Sequence, residues 1–185
     1  MSTSLLFDPA RAVLVVVDEQ ERLMPSIFEV ERVVARSRAM IGIADAVGLH
    51  VIFTEQYPKG LGPTTQEIRA LFGERTPIAK TSFGCYGCEE FADAMATGGY
   101  ETVLLAGVET HICVFQTAAQ CIERGLRVHI LTDAVSAGSQ SDHAVGLERL
   151  RQIGAVTSST IMATYEYLRE AGTPLFRQVL PLLKA

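Results

Sequence analysis

The chain has 185 residues, 48% of them hydrophobic, and a formal net charge of -5 at pH 7. That length suits one domain with a sizeable core, and an acidic balance without a Lys/Arg cluster speaks against a nucleic-acid or anionic-membrane surface. The first apolar run, 12–17, is too short for a signal segment or a membrane span, so the expected location is the cytoplasm. In that compartment Cys85, Cys88, Cys113 and Cys121 are expected to be thiols. The hydrophobic share lies slightly above that of an ordinary soluble domain, which points to apolar surface covered by another subunit.

Along the chain, strand-like runs alternate with helical patterns. Residues 12–17 read as a doubly buried strand, 33–47 carry apolar residues at helical spacing up to Gly48, and 51–53 form a second strand, together a βαβ unit. The turn-rich stretch 57–63 reads as an ordered functional loop because it interrupts the alternation without ending it. A strand-like segment over 77–79 then runs into Lys80. Helices are expected over 89–96, 112–124 and 143–153, strands over 102–106, 127–131 and 155–157, and a helical tail from near Ser159. No repeat or linker appears. The order predicts a single α/β domain over 1–185, doubly wound and Rossmann-like, in three layers around a mostly parallel sheet of order 3-2-1-4-5-6.

Such sheets place chemistry at the carboxyl ends of their strands, above all where the strand order reverses. Asp18 ends the first strand, Lys80 ends the 77–79 segment, and Cys113 follows the 102–106 strand after a short turn. Thr110 is a natural N-cap, which would put Cys113 in a first helical turn, where free N–H groups and the helix dipole favour thiolate and can hold an oxyanion. Taken singly, each residue has an ordinary reading: a core cysteine, a turn carboxylate, a solvated lysine.

Together, Val17-Asp18-Glu19-Gln20, Lys80-Thr81-Ser82-Phe83 and Gly107-Val108-Glu109-Thr110-His111-Ile112-Cys113-Val114 resemble, in order, the three signature segments of the isochorismatase-like cysteine hydrolases. Residues 54–64 further resemble the isochorismatase-domain-containing subgroup. The resemblance implies a catalytic triad of Asp18, Lys80 and Cys113, a cis peptide between Val108 and Glu109, oxyanion donors at the N–H groups of Glu109 and Cys113, and assembly as a homodimer or homotetramer. Cys113 would attack a carbonyl, Asp18 would shuttle the proton, and Lys80 would favour the thiolate by its charge. Gln20, Tyr57 and Phe83 flank these segments as candidate substrate-pocket residues.

Members resembling nicotinamidases carry an Asp and two His metal ligands after the second strand, where this chain has Glu55, Gln56 and Tyr57. One carboxylate without imidazoles is a poor zinc site, so neither metal nor cofactor is expected. His50 and His129 read as edge or packing residues, His143 as the start of an exposed helix, and His111 as facing away from the thiol. Cys85-Tyr86-Gly87-Cys88 lacks a second pair for zinc and reads as local packing. The expected activity is metal-independent hydrolysis of a small amide or similar C–N bond, on a small-molecule substrate and with no nucleic-acid or membrane partner. The alternative is a weakly catalytic oligomeric interaction module or thiol redox sensor on the same fold.

Overall fold

The computed structural model describes residues 5–183. Six strands, β1 (Ala12–Val17), β2 (His50–Gln56), β3 (Ile78–Lys80), β4 (Thr102–Val108), β5 (Arg127–Ser136) and β6 (Val156–Ser158), form one sheet of order β3-β2-β1-β4-β5-β6. Every neighbouring pair is parallel. The expected topology is therefore present, and its reversal point lies between β1 and β4.

Helix α1 (Val30–Val47) ends where Gly48 adopts a left-handed conformation, with φ +74°. The loop after β2 contains two single helical turns, α2 (Pro58–Leu61) and α3 (Gln66–Arg69). The remaining helices are α4 (Glu89–Gly98), α5 (Phe115–Glu123), α6 (Gln140–Gln152), α7 (Thr160–Leu168) and α8 (Pro174–Val179). Strands β2 and β5 run further than their apolar runs suggest, to Gln56 and Ser136, because ladder hydrogen bonds continue through the polar residues that follow. No helix among the described residues is long and apolar enough to cross a membrane.

The period-two pleat sorts the central strands into two cores. Val13, Val15, Val17, Val103 and Leu105 face Phe91 of α4, Ala118 and Cys121 of α5 and Leu150 of α6. Ala12, Leu14, Val16, Leu104 and Ala106 face Met40, Ile41 and Ala44 of α1 and Ala163 of α7. Strands β1 and β4 are buried on both faces along their whole length, and each fully buried Val or Leu contributes roughly 1.5–3 kcal/mol.

Where β4 passes β1 near its carboxyl end, Gly107 sits opposite Val17 with φ +104°. A Cβ there would lie 2.1 Å from the Val17 carbonyl oxygen. Glycine is what lets the two chains meet just below Asp18.

Candidate active site

Three strand ends build the site. Register sets Val17 beside both Thr54 and Gly107, and Gln56 beside Lys80, so residues 18, 80 and the turn after β4 share one rim of the sheet. Asp18 has φ +53° and is fully buried. Its Oδ2 accepts a 2.7 Å hydrogen bond from Lys80 Nζ, and its Oδ1 accepts one of 2.7 Å from Thr54 Oγ1. Both charged side chains are 0% exposed. Lys80 Nζ also donates to Gln56 Oε1 at 2.8 Å, to the Phe83 carbonyl at 3.1 Å and to the Ser82 carbonyl at 3.3 Å. Desolvating two charges costs several kcal/mol each, so this pair persists because nearly every donor and acceptor on it is occupied.

Cys113 lies on a turn of π-helix, Thr110–Val114, that follows β4 and leads into α5. The Val108–Glu109 peptide is cis, as the resemblance implies. The Glu109 carbonyl accepts from the N–H groups of both Ile112 and Val114.

Two expectations about this turn are corrected. Thr110 is no N-cap: its hydroxyl lies 2.9 Å from His143 Nδ1, and the turn has no side-chain cap. Nor is Cys113 a resting thiolate. Burial pushes its thiol up to about 12, with the Asp18 carboxylate adding to the rise and Lys80 opposing it. Desolvation at a residue 6% exposed outweighs the attraction of the one nearby cation.

The candidate pocket residues separate. Gln20 is fully buried and lines no open space: its Oε1 accepts from Gln56 N–H at 2.7 Å, and its Nε2 donates to the carbonyls of Gly62 at 2.7 Å and Gln56 at 3.0 Å. Its amide ties the 57–63 loop to the rim, a structural clamp in place of the expected pocket wall. Tyr57 is 54% exposed and, with Lys59, Lys80, Thr81 and Cys88, walls an open cavity of about 400 Å³ beside Lys80. Phe83 is 53% exposed at the same rim.

Glu55, the carboxylate nearest the metal position of the nicotinamidase pattern, accepts from Thr64 N–H at 2.6 Å and Thr64 Oγ1 at 2.8 Å, so it pins the loop. Among the described residues no three His, Cys, Asp or Glu side chains cluster as metal ligands do.

Thr54 and Gln56 carry no role in the sequence reading, although Thr54 bonds Asp18 and Gln56 bonds Lys80. Their signal was positional: both sit at the end of the strand next to Asp18. Cys85 is fully buried beneath the site, with Thr117 Oγ1 3.2 Å from its sulfur, whereas Cys88 is half-buried beside the cavity.

Comparison with known proteins places the chain by its sequence and fold. The isochorismatase domain model matches residues 12–162. Isochorismatase domain-containing protein 2A of Mus musculus is 35% identical over 176 residues, covering 95% of this chain and 84% of the relative. The structure of MAR1 ribonuclease from Caenorhabditis elegans superposes with a TM-score of 0.91 at 32% identity, covering 97% and 93% of the two chains. The Escherichia coli YcaC gene product, described as an octameric hydrolase of unknown specificity, superposes with a TM-score of 0.88 at 25% identity, over 98% and 94%. With the sheet order and these matches in agreement, the chain belongs to the isochorismatase family and carries its hydrolase fold.

Proposed function

We propose that this protein is a metal-independent cysteine hydrolase that cleaves a small amide or similar C–N bond through a thioester on Cys113. The observation that carries the reading is the buried Lys80–Asp18 pair, 2.7 Å apart and wholly shielded from solvent, set against a buried thiol.

A thiol raised to about 12 is ionised in only about one molecule in 10⁵ at pH 7, so attack must be coupled to proton transfer. Asp18 takes the Cys113 proton as sulfur bonds to the carbonyl carbon. The N–H groups of Glu109 and Cys113 receive the oxyanion, and Asp18 returns the proton to the departing amine. Water then attacks the thioester while Asp18 accepts its proton, and the sulfur leaves and is reprotonated. Lys80 donates to Asp18 Oδ2 and keeps the carboxylate oriented.

A small-molecule substrate suits this site better than RNA does, since the chain carries -5 overall and the Lys80 ammonium is spent on Asp18, Gln56, Ser82 and Phe83. The redox-sensor alternative is disfavoured, because sensing needs an accessible, low-pKa thiol. We further infer a homo-oligomer. Val156 on β6 and Ile161, Met162 and Tyr165 on α7 are each at least 40% exposed, an apolar strip of the kind a second copy covers, and the YcaC protein is itself octameric.

The test is a panel of small amides assayed for amine or ammonia release, with mass detection of an acyl adduct on Cys113. Release that disappears in Cys113→Ala supports the reading, whereas release that persists in that variant overturns it.

A further inference from the structure

Resting on the reading of Glu109 and Cys113 as oxyanion donors, we propose that α6 positions the oxyanion turn and that His143, acting through Thr110, is its positioning residue. A π-turn is a rarely used backbone form with little support of its own, so its geometry must be imposed by what packs on it. Three contacts from residues 138–146 converge on residues 109–111.

The Gly138 N–H donates to Glu109 Oε2 at 2.7 Å, so the Glu109 side chain anchors the turn. Thr110 Oγ1 and His143 Nδ1 lie 2.9 Å apart. One turn further along the same face of α6, Gly146 lies so close that a Cβ would sit 2.9 Å from His111 N and from Thr110 Cγ2, and 3.0 Å from the Thr110 carbonyl carbon. The absence of a side chain at Gly146 thus permits backbone-to-backbone packing, and the His143 contact holds it in register.

Helix α6 is itself fixed at both ends. Ser139 Oγ accepts from Asp142 N–H at 3.1 Å, and Leu150 is 1% exposed in the core. Thr110 is 0% exposed, so removal of the imidazole leaves its hydroxyl buried without this partner and frees the turn that carries both N–H groups.

Two reactions of Cys113 separate positioning from general damage. Acylation by p-nitrophenyl acetate passes through a tetrahedral oxyanion, whereas alkylation by iodoacetamide is a direct displacement at carbon and needs no oxyanion donor. In the full-length protein, Thr110→Val and His143→Leu should lower the acylation rate at Cys113 about 10-fold or more, toward the roughly 10²-fold of a lost donor, with alkylation nearly unchanged. Thr110→Ser and His143→Asn, which keep a hydroxyl and a nitrogen near the Nδ1 position, should restore most of it.

Equal falls in both reactions, or no fall in acylation, overturn the inference. Wild-type protein that is alkylated but never acylated at Cys113 overturns the thioester reading and this inference with it. Wild-type acylation with an unchanged acylation-to-alkylation ratio in the variants overturns the positioning role alone.

Discussion

Glu19, beside Asp18, should be a standing cost to the fold at neutral pH, and Glu19→Gln should remove it. Its side chain is buried on a residue 1% exposed, Oε1 lies 2.5 Å from Ser37 Oγ, and Oε2 has no hydrogen-bond partner among the described residues. Desolvation without a cation pushes the carboxyl up from 4.5 to about 8, against the smaller effect of the Ser37 hydrogen bond.

A folded-state value above the unfolded one means that the native protein binds the extra proton. The contribution to stability is therefore complete below pH 4.5, falls as pH rises, and is fully lost above about 8. At 1.36 kcal/mol per unit, the wild type should lose roughly 3 kcal/mol between pH 5 and pH 8 relative to Glu19→Gln, whose amide does not titrate. Urea unfolding of both proteins across that range, followed by fluorescence or circular dichroism, measures the difference. Parallel pH curves for the two proteins would refute the reasoning and mean that Glu19 is solvated or paired in solution.

Asp18→Asn should abolish turnover, by about 10³-fold or more, and also cost roughly 3–5 kcal/mol in stability because it strands the Lys80 ammonium; the Asp18→Asn/Lys80→Met double variant should regain stability but not activity, as read by thermal unfolding and amine release. Recovery of activity by the double variant would contradict the role of Asp18 in proton transfer. Turnover on the best amide of the panel should survive dialysis against a chelator, since Glu55 is committed to Thr64; loss restored by added zinc would expose ligands outside this account. Sedimentation at micromolar concentration should report an oligomer, and Met162→Glu should weaken it, whereas a wild-type monomer would contradict the apolar-strip argument.

How much was legible in the sequence depends on the range of the interaction. Ala12–Val17 and Thr102–Val108 announce themselves because strands buried on both faces must be apolar at every position, and the alternation of such runs with helical patterns, under right-handed crossovers, leaves few topologies. The placing of Asp18 and Lys80 on one rim follows from the same rule, since parallel strands all end on one side.

Side-chain environment obeyed no such local rule. Thr110 looks like an N-cap in sequence, yet its hydroxyl goes to His143, 33 residues away. Gln20 looks like a pocket residue and is a fully satisfied clamp on the loop after β2. Glu19 is of a residue type almost never fully buried, yet it is 1% exposed. Cys113 looks activated by a helix end and a lysine, yet its thiol holds its proton more tightly than a free one.

The sequence by itself determined the order of the elements, the reversal of the sheet and the residues offered at its rim, because backbone pairing and apolar periodicity are properties of short segments. Only the tertiary structure decided which of those residues lost their water, because desolvation sums over every atom packed around a group, and most of those atoms come from distant parts of the chain.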